Sequence, residues 1–221
     1  MSTTQTSGGI LVVTGPIGDH QPTVTDADVA TGLRASPVGA LHRIDFNESV
    51  ESWTPKNWDV AVEVMTAEFA AREDSPGAVF AIGPIPLLAA LGRLLGDKNP
   101  CAVFEKHRHS DSWTWEPAGD DLGWSSSRVR GPAEDKQVVV LLSVSGRVGQ
   151  ADIPVHLRAF PTYELEVDVP RPNIVRARSQ LAAFAEKWRE LVSAIRTRHG
   201  SSANIHLLPA CPVSVAVELG R

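Results

Sequence analysis

At 221 residues, with 43% hydrophobic and 21% charged side chains, the chain holds enough apolar material for one large domain or for two small halves sharing a core. Its formal net charge of −5 argues against a protein that coats duplex DNA, which needs a surplus of Lys and Arg on one face. No apolar run approaches the ~20 residues of a membrane span, and the two cysteines, Cys101 and Cys211, sit in unlike contexts that fit reduced thiols better than a disulfide framework or a zinc site.

Residues 1–9 are polar, with neither the basic nor the apolar stretch of a secretory signal, so a disordered N-terminal segment and a cytoplasmic location are expected. Ile10, Leu11, Val12 and Val13 read as a buried strand running into the turn Thr14-Gly15-Pro16. Residues 19–52 read mostly as loop, with a short strand near 42–46. Thr54-Pro55 is an N-cap followed by proline at the first helical position, and Trp58, Val62, Met65 and Phe69 then recur at helical spacing. A strand at 78–82 leads through Gly83-Pro84 into a helix lined by Leu87, Leu88, Leu91, Leu94 and Leu95, and a further strand follows at 101–104. Strand, helix, strand with continuously apolar strands predicts a parallel, Rossmann-like sheet covered on both faces.

Residues 116–136, rich in Gly, Ser and Asp, read as a connecting segment. Strands at 138–144 and 163–168 follow, the second half-exposed by its alternation. A long helix carries Leu181, Phe184, Trp188, Leu191, Val192 and Ile195, and a strand at 204–208 and a helix at 212–219 complete the chain. Trp58 and Trp188, set in helical apolar stripes, are expected in the core.

A shift of 128 residues lays Phe80-Ala-Ile-Gly-Pro84 and its helix on Leu208-Pro-Ala-Cys-Pro212 and its helix, matching Pro84 to Pro212, Gly92 to Gly220 and Arg93 to Arg221. The common spacing predicts a duplicated unit. The expected architecture is therefore α/β: two fused Rossmann units, 10–115 and 137–221, with mainly parallel sheets flanked by helices and a pseudo-twofold relation. The strand that follows Gly92-Arg93 in the first unit has no counterpart after Arg221, so the second reads as incomplete.

In parallel sheets ligands bind beyond the carboxyl ends of the strands, where helix N-termini present unpaired N–H groups. Candidate contacts are therefore Gly83, Pro84 and Ile85, Ser145 and Gly146, and Cys211 and Pro212, together with Thr14-Gly15-Pro16, which also reads simply as the first turn of the fold. Two such turns facing one cleft would suit a ligand with repeated phosphates. Lys106, His107 and Arg108, followed by Trp113 and Trp115, place cations near aromatic faces and could clamp phosphates and stack bases. His156 and Arg158 could join them. His107, His109 and Asp111 do not make a convincing metal site, and neither a metal nor another cofactor is expected.

These blocks resemble the SAVED domain, a fusion of two CARF-like Rossmann units. The resemblance rests on the 80–92 segment, on Val103-Phe104-Glu-Lys-His-Arg with Trp113-Thr-Trp115, on Ser143-Val-Ser-Gly146, and on Asn204 through Gly220. It implies a sensor of a cyclic oligonucleotide second messenger in antiphage defence of the CBASS or type III CRISPR kind. It further implies ligand-induced homo-oligomerisation and an effector (a nuclease, TIR domain or protease) in another chain or in a segment outside this sequence. No catalytic residues are assigned. The alternative is an enzyme on the same scaffold, a ring nuclease or nucleoside-processing hydrolase using His107 or Ser145, although no GxSxG elbow, Walker A loop or GxGxxG occurs.

Overall fold

The computed structural model describes residues 8–35, 39–50, 52–72, 75–98, 100–131 and 135–221, so most of the expected N-terminal segment lies outside the described residues. The chain divides into two compact units: the described residues up to Trp115 together with Val213–Arg221, and Glu116–Pro212.

The first unit is built on strands β1 (Ile10–Thr14), β2 (Leu41–Asp45), β3 (Ala78–Ile82) and β4 (Ala102–Val103), in the order β2-β1-β3-β4 and parallel throughout. All of β1 is buried, as its unbroken apolar run requires of a central strand covered on both faces. The helices are α1 (Asp26–Leu33), α2 (Pro55–Ala70), α3 (Ile85–Leu95) and, from the far end of the sequence, α5 (Val213–Gly220).

Two of these elements depart from the sequence reading. Helix α1 forms within the stretch read as loop, started by Thr25, whose hydroxyl accepts the Asp28 N–H while the Asp28 carboxylate accepts the Thr25 N–H at 2.8 Å. It buries only Val29 and Gly32, too little apolar material to make a periodic stripe. Helix α2 starts as expected, with Thr54 as N-cap and Pro55 in the first turn, but Ala61 rather than Val62 packs inward beside Met65, and Val62 is 41% exposed.

Helix α3 crosses α5 closely. A Cβ on Gly92 would fall onto the carbonyl oxygen of Val217, and a Cβ on Gly220 would fall onto that of Ala89. These contacts are reciprocal under the 128-residue shift, since Gly92 corresponds to Gly220 and Ala89 to Val217. Arg221, the counterpart of Arg93, donates from Nε to the carbonyl of Gly96 at 3.0 Å and pairs with Glu218 at 2.9 Å.

The second unit holds β5 (Ser125–Arg130), β6 (Gln137–Ser143), β7 (Thr162–Glu166) and β8 (Asn204–Ala210), in the order β5-β7-β6-β8. The last three are mutually parallel, and β5 runs antiparallel to β7. The stretch read as a connection thus contains an edge strand, whose Ser-Ser-Ser-Arg sequence gave no apolar alternation because its first four residues are exposed. Two short 3₁₀ turns, Gln150–Asp152 and Val155–Leu157, carry Ile153 and Leu157 onto Val139 and Leu141 of β6. Helix α4 (Arg178–His199) ends at Gly200, whose φ of 93° is a left-handed value that suits glycine. Trp188 on this helix is half-buried, where its stripe suggested full enclosure. The last residue of α4, His199, is buried, with Nδ1 2.8 Å from the carbonyl of Asp135, so Nδ1 carries the hydrogen and Nε2 accepts from the Tyr163 hydroxyl at 2.9 Å. Among the described residues no helix is long and apolar enough to cross a membrane.

Candidate functional site

The carboxyl ends of the parallel strands define where a site belongs in each unit. At the first sheet, β1 ends at Thr14, whose hydroxyl donates to Asp45 at the end of β2 at 2.8 Å, while Asp45 also accepts the Asn47 N–H at 2.9 Å. Gly15 N–H donates to the carbonyl of Ile82, tying the first turn to the end of β3, where Gly83-Pro84-Ile85 lead into α3. The candidates Thr14-Gly15-Pro16 and Gly83-Pro84-Ile85 therefore lie side by side.

The start of α3 is not rich in donors. Pro84 is its N-cap and Pro86 its second residue, and neither has an N–H, so this turn offers fewer backbone groups to an anion than an ordinary helix start. What it does gain is an aromatic neighbour that the sequence reading passed over. Trp53 donates from Nε1 to the carbonyl of Pro16 at 2.8 Å and stacks on Trp58 with ring centroids 4.0 Å apart. Both residues are half-buried, so Trp58 is not the fully enclosed core residue its stripe suggested.

The exit of β4 carries Glu105, Lys106, His107 and Arg108. Glu105 is 7% exposed and accepts the Ser214 N–H at 2.9 Å. Burial pushes its carboxyl up to about 7, against the opposing pull of the Ser214 hydrogen bonding and the Arg108 charge. A carboxylate of the chain itself thus holds an N–H of the first turn of α5, the helix that follows Cys211-Pro212. This is the place where the sequence reading put a ligand anion.

Lys106 is also engaged. Its ammonium lies 2.8 Å from the Asp111 carboxylate and 3.4 Å from that of Asp28, and 5.8 Å from the centroid of the Trp113 ring. Asp28 is correspondingly held below the usual carboxylate range: burial alone would raise it, and the Thr25 hydrogen bonds and Lys106 outweigh that effect. Residues 107–112 close on themselves through His107 N–H to the Ser112 carbonyl at 2.7 Å.

The expectation that His107, Trp113 and Trp115 face a ligand meets a packed interior instead. Their exposures are 3%, 0% and 7%. Trp113 and Phe80 pack edge to face with centroids 5.2 Å apart, Trp115 donates to the Val103 carbonyl at 3.3 Å, and the His107 ring lies 5.5 Å from that of Trp115. The physical reason is area: large rings beside an apolar strand gain more from core burial than from solvent. Arg108, by contrast, is exposed.

At the second sheet, Ser145 and Gly146 do meet the end of β8. The N–H groups of Val144 and Ser145 both donate to the carbonyl of Ala210 at 2.9 Å, next to Cys211. Ser143 Oγ accepts the Val148 N–H at 2.9 Å, so residues 143–148 form a tight loop. Arg147 reaches Glu166, the end of β7, at 3.4 Å. Arg158 is turned to backbone carbonyls of its own 3₁₀ segment, 2.9 Å from that of Ile153, and His156 is exposed on the same segment. Cys101 and Cys211 are both thiols outside any disulfide, and burial pushes the Cys101 thiol up to about 11.

The model of the SAVED family, described as SMODS-associated and fused to various effectors sensor domain, matches residues 61–221. No curated protein sequence matches significantly. Among solved structures, the Acinetobacter baumannii Cap4 SAVED/CARF-domain containing receptor with the cyclic trinucleotide 2′3′3′-cAAA superposes with a TM-score of 0.59 at 13% identity, over 97% of this chain and 46% of that one. The same receptor with 3′3′3′-cAAA gives 0.56 at 14% identity, over 76% of this chain and 39% of that one. This chain spans less than half the length of those receptor chains, and at such identities the likeness is one of fold.

Proposed function

Because the chain belongs to the SAVED family of sensor domains, we propose that it binds a cyclic oligonucleotide second messenger at the carboxyl ends of its parallel strands. The observation that carries this reading is the recurrence, within a SAVED chain, of a strand–proline–helix turn at Pro84 and Pro212, each next to a second strand-end turn, Gly15-Pro16 in one case and Ser145-Gly146 in the other. Tandem CARF-like units descended from a duplication account for the 128-residue spacing. The Cap4 receptor structures carry cyclic trinucleotides, which makes the cyclic triadenylates the first ligands to try. Binding promotes homo-oligomerisation and activates an effector (a nuclease, TIR domain or protease) on another chain or segment, in cytoplasmic antiphage defence.

Of the β4-exit cations, Arg108 is the better phosphate contact, since Lys106 already faces two carboxylates. The test is incubation with a panel of cyclic di-, tri- and tetranucleotides, followed by recovery and identification of what stays bound. Intact retained ligand is expected; cleaved products would favour the ring-nuclease alternative, and no retention of any member would overturn the reading. Arg108→Glu should weaken the retained ligand by roughly 1.5–3 kcal/mol, tenfold or more, read by calorimetry. Unchanged affinity would take Arg108 out of the site.

A further inference from the structure

The turn at the end of β1 and the entry to α2 lie outside the stretch that the family model matches, yet the entry to α2 carries a stacked pair of half-buried indoles, one of which is bonded to that turn. Trp53 is fixed there by three separate contacts. Its only polar group, Nε1–H, is spent on the Pro16 carbonyl at 2.8 Å. Its ring lies on Trp58 at 4.0 Å with an interplanar angle of 22°. Its Cζ2 edge abuts Gly15 so closely that a Cβ there would come within 3.3 Å. Trp113 and Trp115 are enclosed, whereas Trp53, like Trp58, Trp124 and Trp188, is part-open, and Trp53 touches the turn at the carboxyl end of a central parallel strand, where α/β sheets take their ligands.

Resting on the cyclic-oligonucleotide reading above, we infer that Trp53 is a base-stacking platform of the ligand site, receiving one nucleobase of the bound ring. An indole whose N–H is already satisfied, and one of whose faces lies on Trp58, has only its opposite π face left to offer. A π face recognises flat rings, binds purines more strongly through their larger area, and does not read base edges.

Beside this turn, at the end of β2, stands the Asp45 carboxylate, which accepts from the Thr14 hydroxyl and the Asn47 N–H. An exposed carboxylate repels phosphate and accepts from a ribose hydroxyl or an exocyclic amine. With two prolines thinning the donors of α3, this turn is therefore suited to base and sugar, while phosphates are held elsewhere. The platform is pre-assembled, because the Pro16 bond and the Trp58 stack fix the ring before a ligand arrives, and so little rotamer freedom is lost on binding.

The test uses the whole chain, with 2′3′3′-cAAA and 3′3′3′-cAAA as probes, and reads affinity by calorimetry and contact by indole fluorescence. Trp53→Ala should weaken binding about tenfold or more, in line with roughly 1–3 kcal/mol per stacked base. Trp53→Phe should keep most of the affinity while losing the ligand-induced change in emission that the wild type shows. That pairing separates stacking from a structural role. If Trp53→Phe weakens binding as much as Trp53→Ala does, the Pro16 hydrogen bond matters and the platform is overturned; equal affinity of Trp53→Ala and wild type overturns it too. If the wild type binds neither these probes nor any other cyclic oligonucleotide, the functional reading fails first and this inference goes with it.

Discussion

The Glu105 carboxylate is shut away from water with Ser214 N–H as its hydrogen-bond donor, and burial raises its pKa from 4.5 to about 7. The neutral form is thus the one the fold prefers. The sign follows from linkage: a group whose folded pKa lies above its unfolded value adds stability that is complete below about pH 4.5 and is lost as the pH rises through about 7. Between those limits the wild type should lose on the order of 2–3 kcal/mol that a variant without this carboxyl does not lose. Glu105→Gln keeps an acceptor for Ser214 N–H and removes the titration. Denaturant midpoints measured from pH 5 to pH 8 should fall more steeply for the wild type than for Glu105→Gln, and parallel curves would show that Glu105 does not titrate in that window. Nothing in the sequence foretold this contact, because the two partners lie 109 positions apart. The same kind of separation hid the reason why Lys106 is engaged, since Asp28 lies on a helix that the apolar pattern did not reveal.

Helices α3 and α5 approach so closely that each needs a glycine at the crossing, and their positions exchange under the repeat spacing. Gly92→Ala should therefore push the helices apart and cost about 1–3 kcal/mol or more, because the obstruction is backbone carbonyl and not a movable side chain. Gly220→Ala should cost a similar amount. Urea unfolding of both variants checks this, and wild-type midpoints would mean that the crossing relaxes freely. This also explains why the Gly92–Gly220 match was legible in the sequence: a requirement of packing recurs at equal spacing when the packing is reciprocal. Strands β1, β3 and β6 were legible as well, since strands with a neighbour on each side are apolar almost throughout, and β8, at the edge of its sheet, was legible from its Leu207-Leu208 pair and the Cys211-Pro212 turn after it. Helix α1 and strand β5 were not, because each lies with most of its surface in solvent and has little pattern to show. The Thr25-x-x-Asp28 capping pair was the one local signal available for α1, and Arg128 and Arg130 on β5 mark the kind of polar edge that resists stray pairing. At the candidate site the strand-end turns were readable from glycine and proline, whereas cations and rings following β4 have the same sequence signature whether they face solvent or core. Trp53 went unnoticed because a single tryptophan between a loop and a helix cap has no periodicity.

Sequence order and spatial grouping part company at the last helix. Val213–Arg221 packs with the unit that ends at Trp115, although the strand that feeds it, β8, belongs to Glu116–Pro212. Helix α5 buries Val215, Ala216, Val217 and Leu219 there, and its first turn meets the Glu105 carboxylate. Removing Val213–Arg221 should therefore damage a unit whose other residues lie about a hundred positions or more away in sequence, and spare the one to which the cut lies adjacent. The lost apolar burial, at roughly 25 cal/mol per Å², falls on α3 and β3, and Glu105 is left without its donor. Amide hydrogen exchange should speed up across residues 78–95 and at the exit of β4, while residues 138–143 and 162–166 keep their protection, as expected when one unit is destabilised locally and the other is left intact. Faster exchange confined to the second sheet would mean that α5 stabilises β8, its neighbour in sequence, and not the unit into which it packs.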